Sequence, residues 1–442
     1  MAIHSQNDYK RLGERIRKSP DNVALEDLQM LQDLRETYKD PLSVIFSSLE
    51  QLASRVDKTC ICVYRVKRIE SIVSKLIRQP KMQLQRVEDI AGCRCILADN
   101  DKVEELYRQI QKKSDAGKLP FEIKNVNNYL EKPKVSGYRS IHVNVTLKND
   151  NRRIEIQLRS IDQHNWATLV ETTDVIFKTK IKEYGEQSNP DLYAFHCLLS
   201  KQNKELSKRE RCQIAETAKK YNYIAKVGTV FRKNYINVRT QWYKEMQSDA
   251  KFFLVATNTD GTPEFKGFTN FMQAEKAYFK EYIHNSEHRN IVLAHLKNPN
   301  YRNFSIAYSN YFLTYNDIMF RIFEVVAELV VDAFNNYHLR TFASFYGYYL
   351  NIMYYWLGER AQEVKEFTSK HLGGRGVRSN NLEWKNTVEK QIAPVWQLFL
   401  ETEQKLKCEF TSLSNLLLVG VKKSIYSNFR DKVNKGGTFY LE

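Results

Sequence analysis

Residues 134–159 read KVSGYRSIHVNVTLKNDNRRIEIQLR, and the fold is decided in this stretch. Ser136-Gly137 is a turn signal, and the two segments after it alternate polar with apolar residues and meet at Asn149-Asp150-Asn151. The pattern predicts a β-hairpin. Strand side chains alternate with period two, so Glu155, Gln157 and Arg159 share one face of the second strand, and Ile154, Ile156 and Leu158 share the other. The apolar face packs and the polar face is left for chemistry. A carboxylate, an amide and a guanidinium in file can hold a metal ion and bind phosphate oxygens, with Lys134 and Arg139 adding positive charge beside them. An ordinary solvated strand face is the alternative reading of the same residues.

On the N-terminal side, residues 1–40 read as a polar helix, and Pro41 opens a second helical pattern with Leu42, Ile45, Leu49, Leu52 and Val56 at spacings of three and four. Residues 59–64 read as a short strand. Arg65-Val-Lys-Arg68 then leads into a helix carrying Ile69, Ile72, Val73, Leu76 and Ile77, which ends at Pro80. Counted along that helix, Lys67, Ser71 and Lys75 fall on one side, so Arg65, Lys67 and Lys75 could converge on one polyphosphate; a solvated amphipathic helix is the bland alternative. Residues 87–97 place Asp89 at the mouth of a strand that is small and apolar inside, where a carboxylate can ligate a metal. A helix over 103–112, a strand over 121–126 and the hairpin complete an α/β (α+β) sheet with flanking helices, followed by a helix over 161–177 that contains Trp166-Ala167.

These motifs together resemble the synthetase domain of the RelA/SpoT-type alarmone synthetases, closest to the toxic small synthetases and fused toxin–antitoxin members. The resemblance runs from about residue 40 to about residue 205, one domain's worth of chain. Arg65-x-Lys67 with Lys75 is similar to the family's ATP-phosphate cluster, and Asp89-Ile-Ala-Gly-x-Arg94 to its metal-binding aspartate motif. Lys132-Pro-Lys134-x-x-Gly137-Tyr138-x-Ser140-x-His142 is similar to the acceptor loop, and Glu155-x-Gln157-x-Arg159 to the catalytic glutamate strand. Trp166-Ala167 is similar to the helix that follows that strand, and five motifs in order carry more weight than any one. The resemblance implies a mixed-sheet, nucleotidyltransferase-like domain that transfers pyrophosphate from ATP to a ribose 3′-hydroxyl. In that picture Asp89 and Glu155 hold Mg²⁺ and Glu155 assists deprotonation. Arg65, Lys67, Lys75, Arg94 and Arg159 bind ATP, while Lys134, Ser136, Tyr138, His142 and Gln157 bind the acceptor, with Tyr138 stacking on its base. Ser136 stands where the family commonly has asparagine, Ser160 where it commonly has threonine, and the helix after the hairpin lacks the Glu-His pair of the housekeeping enzymes. These departures leave the acceptor open. The sequence has no His-Asp dipeptide, so synthesis without hydrolysis is the expectation.

The chain has 442 residues, 42% of them hydrophobic, enough for two or three domains with a sizeable core. Its seven cysteines form neither a disulfide framework nor a CxxC zinc pattern; Cys60/Cys62 and Cys93/Cys95 alternate like buried strand residues. The polar N-terminus has no signal peptide, and a reducing, cytoplasmic setting is expected. Net charge is +16, and within residues 201–233 ten basic residues face three acidic ones. Lys208, Arg209, Arg211, Lys219 and Lys220, with Tyr221, Tyr223 and Phe231 interleaved, read either as an RNA-binding stripe or as a solvated helix face.

The expected organisation is a helical region at 1–40, the synthetase domain at 41–205, a basic linker helix plus a small α+β module at 206–316, and a helical, aromatic-rich region at 317–442. Residues 249–256 and 291–293 read as strands, 261–263 as a turn and 272–284 as a helix, weakly resembling the module of the fused members, including the tail at 307–312. The aromatic run at 342–357 is too short to span a membrane and reads as core or partner surface; Gly373-Gly374-x-Gly376 reads as a loop. The expected partners are ATP and an acceptor: first the 3′-terminal adenosine of tRNA, which would make the enzyme a toxin-like inhibitor of translation or growth, with GDP or GTP, and hence an alarmone synthetase, as the alternative. An antitoxin or a phage-protein trigger would act through the C-terminal region, and residues beyond about 215 would restrain the synthetase. A catalytically silent RNA-binding protein on the same fold is the competing class.

Overall fold

The hairpin forms as its alternation requires. In the computed structural model, which describes residues 4–20, 22–229, 241, 250–257, 263–284, 290–295, 301–308, 318–369, 393–407 and 413–436, its strands are β4 (Ile141–Leu147) and β5 (Arg153–Ser160), paired antiparallel. Ahead of them come α1 (Gln6–Lys18), α2 (Leu25–Glu36), α3 (Lys39–Val56), β1 (Ile61–Val66), α4 (Ile69–Arg78), β2 (Ala91–Leu97), α5 (Asn100–Asp115) and β3 (Phe121–Asn128). After them come α6 (Ile161–Phe177), α7 (Ile181–Tyr184), α8 (Pro190–Leu199), α9 (Lys208–Lys220), β6 (Phe252–Thr257), β7 (Pro263–Phe268), α10 (Phe271–His284), β8 (Asn290–His295), α11 (Tyr301–Ala307), α12 (Ile318–Asn335), α13 (Leu339–Ser369) and α14 (Leu413–Gly436).

Two local readings change. Residues 1–40 are not one polar helix: α1 is closed by its C-cap at Ser19, Pro20 follows, and α2 starts afresh at Leu25. Strand β1 runs on to Val66, so Lys67 lies in the turn before α4 and shares no helix face with Lys75.

The chain divides into two compact units, one of residues 1–175 and 233–314, the other of 176–232 and 315–442. In the first, eight strands form one sheet in the order β3-β4-β5-β2-β1-β8-β6-β7. β2 and β5 run parallel and the other neighbours antiparallel. The strands of the stretch 252–295 therefore extend this sheet, joined to β1 where Tyr64 pairs with His295. The two rings stack with centroids 4.2 Å apart.

One face of the sheet is apolar from end to end: Tyr64, Val66, Cys93, Cys95, Val143, Val145, Ile154, Ile156 and Leu158 bury against α1 to α5 and α10. The other face is apolar only around Ile61, Val63, Ile96, Phe253 and Val292, where Phe304, Ala307 and Tyr308 cover it. Beyond that patch it turns polar, because the same alternation that sends Ile154 and Ile156 inward sends Glu155 and Gln157 outward. In the second unit, α12 and α13 pack through buried Ile322, Phe323, Val326, Phe342, Tyr346, Tyr349 and Trp356, so the aromatic run at 342–357 lies in a core. No helix among the described residues is long and apolar enough to cross a membrane. The 261–262 part of the expected turn, the tail at 309–312, the glycines at 373–376, Phe231 and Cys408 lie outside the described residues.

Candidate active site

Register builds the site. Arg65 pairs with Gly92 and Gly92 with Glu155, while Val63 pairs with Arg94, Arg94 with Gln157 and Gln157 with His142. Gly92 is the gap in the first row. A Cβ placed there would lie 2.8 Å from the Glu155 carbonyl oxygen, so only glycine allows β2 this close to β5. Arg65 and Glu155 thus face one another across an empty position, and a cleft opens there, lined also by Lys67, Asp89, Arg94 and Gln157.

Asp89 sits just before β2 and accepts from two ammonium groups, Lys67 Nζ at 2.5 Å and Lys75 Nζ at 2.7 Å. The two lysines reach it from the β1–α4 turn and from α4, so they do meet, but around the carboxylate. Burial pushes the Asp89 carboxyl up, yet the two lysine charges and their hydrogen bonds outweigh it and hold the group at about 2. Glu155 behaves alike. Burial raises it, and the hydrogen bond and charge of His142 together with the Gln157 amide bring it down to about 2. His142 Nδ1 lies 2.8 Å from Glu155 Oε1, and Gln157 Nε2 donates to Oε2 at 2.5 Å.

Residues 134–142 join this network. Gly137 takes φ +88°, in the left-handed region its turn needs, and its N–H donates to the Lys134 carbonyl at 2.8 Å. Ser136, half-buried, occupies the same turn. Tyr138 Oη lies 2.7 Å from His142 Nε2 and also accepts from Arg159 Nη2. Lys134 Nζ stands 5.1 Å and Arg159 Cζ 5.0 Å from the centre of the Tyr138 ring. Tyr129 was not singled out in the sequence, yet its ring lies 5.8 Å from Tyr138 and 4.6 Å from Lys134 Nζ. Tyr308 was noted only as part of a tail, and it lines the cleft.

Unlike the two lysines, the arginines of the cleft have no counter-ion at ion-pair distance among the described residues. Arg94 donates through Nε to Gln157 at 3.3 Å, and neither it nor Arg65 forms an ion pair among the described residues. Burial, then Arg159 and Arg65, push the Arg94 guanidinium down to about 9. Arg159 Nε is buried without a hydrogen-bond partner. Cations that depress one another are a site short of an anion.

The five α9 residues belong to the other unit, and four of them are answered within it. Lys208 pairs with Asp332 at 2.7 Å, Arg211 with Glu328 at 3.2 Å and Lys220 with Asp191 at 2.5 Å. Lys219 Nζ donates to the Ser344 carbonyl and hydroxyl, Tyr223 is buried, and Arg209 is exposed.

The model of the region found in RelA/SpoT proteins matches residues 64–182, which contain the cleft's strands β2 and β5 and the turn at 134–142. Residues 64–182 are similar to a RelA/SpoT region. Two relatives of Bacillus subtilis bear on it. GTP pyrophosphokinase YwaC is 34% identical over 116 residues, 24% of this chain and 53% of its own length. GTP pyrophosphokinase YjbM is 29% identical over 127 residues, 27% of this chain and 58% of its own. The chain thus spans just over half the length of these curated relatives. The solved structure of small alarmone synthetase 2 from Bacillus subtilis is 26% identical, with a TM-score of 0.29 over 38% of this chain and 93% of that one. Three elements that border the RelA/SpoT region's cleft or its supports, α2, α10 and α11, lie outside the matched residues.

Proposed function

We propose that this chain is a pyrophosphokinase that moves the β,γ-pyrophosphate of ATP onto a ribose 3′-hydroxyl. The observation that carries the reading is the convergence, in one cleft, of two ionised carboxylates with arginines that have no counter-ion: Asp89 and Glu155 with Arg65 and Arg94. The acceptor oxygen attacks the β-phosphorus, the bond from that phosphorus to the α-phosphate oxygen breaks, AMP leaves, and the hydroxyl proton goes to Glu155. Such a transfer is catalysed by positioning and by charge placed where phosphoryl oxygens develop it. Arg65, Lys67, Lys75, Arg94 and Arg159 bind the triphosphate, Arg159 also donating to Tyr138, and Tyr138 with Lys134, Ser136, His142 and Gln157 forms the acceptor side.

Mg²⁺ fits this donor set. It is commonly held by one or two carboxylates plus substrate phosphates, and Asp89 and Glu155 are the two that line the cleft. When bound it neutralises charge on the β and γ oxygens. Lys67 and Lys75 occupy Asp89 meanwhile and are the cations that would pass to phosphate.

A guanine nucleotide is the first reading of the acceptor, supported by the names of both curated relatives. The 3′-terminal adenosine of tRNA is the second. It is favoured by the acceptor loop, whose residues 131–135, including Lys132 and Lys134, are all exposed and leave room for a substrate larger than a mononucleotide. Tyr308 in the cleft supports the further reading that the chain beyond the RelA/SpoT region restrains it, with residues 317–442 as the part on which an antitoxin or a phage protein would act. ATP labelled on its γ-phosphate, offered with GDP, GTP or tRNA in parallel, tests the acceptor. Label on the guanine nucleotide upholds the first reading, and label on tRNA alone replaces it with the second.

A further inference from the structure

We propose that Arg35, Glu275 and Tyr278 are positioning residues that fix Lys67 against Asp89. Arg35 lies on α2 and the other two on α10, all outside the RelA/SpoT region, and the proposal rests on reading Lys67 as a triphosphate ligand.

Arg35 and Glu275 form an ion pair at 2.9 Å with both side chains fully buried. Arg35 Nε donates to the main-chain carbonyl of Lys67 at 2.9 Å, and its guanidinium lies 4.1 Å from the centre of the Tyr278 ring. Tyr278 Oη accepts from the N–H of Ile69 at 2.9 Å. Gln32 completes the shell, donating to Glu275 at 2.8 Å and accepting from Arg35. Both ends of the turn 67–69 are thereby held through main-chain atoms by groups that have no other freedom.

A buried ion pair is weak evidence of stabilisation, because apolar residues of the same volume often serve as well. This one is aimed at the main chain of a single turn. That turn decides where Lys67 points and where α4 begins, hence where Lys75 stands. Holding the turn fixes the points from which two lysines of different segments meet one carboxylate at 2.5 and 2.7 Å. A displacement of one ångström at such a site costs far more in transfer rate than in fold stability.

The test uses the full chain and two readouts. Tyr278→Phe removes only the oxygen that meets Ile69, and Arg35→Lys keeps a cation opposite Glu275 while losing the fork that reaches the Lys67 carbonyl. Phe271→Leu, on the same helix, is a packing control. The first readout is the rate at which an amine-reactive reagent labels Lys67 in the substrate-free protein, followed by peptide mass spectrometry. The second is AMP formation from ATP. Both variants should label Lys67 faster and raise KM for ATP by up to ~10-fold, leaving KM for the acceptor unchanged. The control should lower the denaturation midpoint and change neither readout. Unchanged labelling in both variants, or an equal rise in the control, overturns the positioning role. If labelling rises but the wild-type chain makes no AMP from ATP, the positioning stands and the functional reading falls.

Discussion

The arginines of the cleft and the cations of helix α9 differ in what stands opposite them. On the sheet, Arg65 and Arg94 meet no carboxylate at ion-pair distance among the described residues, and they crowd one another in a half-buried cleft. On α9, Lys208, Arg211 and Lys220 each meet a carboxylate of their own unit. In sequence the α9 cluster is the denser. Density of charge therefore says little about where an anion binds, whereas cations left without a counter-ion where water is scarce say much.

The largest effect is expected at Glu155, the carboxylate of the first row of the cleft. Glu155→Gln should lower transfer by roughly 10³-fold or more while the chain keeps its fold, since Ile154 and Ile156 still pack on the opposite face. Stopped transfer with an unchanged circular dichroism spectrum and melting profile is the expected result; retention of most activity would remove Glu155 from the mechanism.

Gly92→Ala comes next. The new methyl must displace the main chain of β5 at Glu155, and a loss of ~10²-fold in kcat with about 1–3 kcal/mol of stability is expected. A variant with wild-type kcat would mean that the spacing of β2 and β5 does not set the reaction geometry.

Acid should destabilise both units, for different reasons that can be separated. Burial pushes His196 down to about 3, and burial with Arg94 and Arg159 does the same to His164. Between about 6.5 and these folded values the unfolded chain binds protons that the native chain refuses. Stability therefore falls as pH drops below about 6.5. A second loss begins near pH 4, where Asp89 and Glu155 are still ionised in the native state and protonate in the unfolded one, and it continues toward about 2. Urea midpoints at pH 7, 6 and 5 test the first window. Inorganic tripolyphosphate should soften the part due to His164 by screening the arginines, and should leave the His196 part alone.

The smallest effect is expected on α9. Changing Lys208, Arg211 and Lys220 to glutamine removes two exposed pairs worth about 0–1 kcal/mol each and the half-buried Arg211 pair, and should leave KM for ATP within about twofold. If the same changes weaken tRNA binding and flatten its salt dependence, α9 recovers the RNA-binding role and the contrast between the two clusters fails.

How much of this was legible in the sequence follows from distance along the chain. The polar face of β5 was, because period two is local. The meeting of Lys67 and Lys75 was expected for the wrong reason: the helix does not include Lys67, and Asp89 gathers both lysines. Pairing of Tyr64 with His295, of Arg35 with Glu275 and of Lys208 with Asp332 joins residues more than a hundred positions apart. No local pattern marks such partners. The α9 stripe looked unanswered for that reason, and the strands of 252–295 looked like a module rather than part of one sheet.

The central claim is that the bond broken lies between the α- and β-phosphates of ATP and that the pyrophosphate moves intact to a 3′-hydroxyl. The most direct measurement uses ATP labelled on its γ-phosphate with GDP, GTP and tRNA offered separately, counting AMP against labelled acceptor in each. The account predicts one AMP for every labelled acceptor, with the label lost when the acceptor's 3′-hydroxyl is replaced by hydrogen. ADP with labelled phosphate, or labelling that survives the 3′-deoxy acceptor, would contradict it.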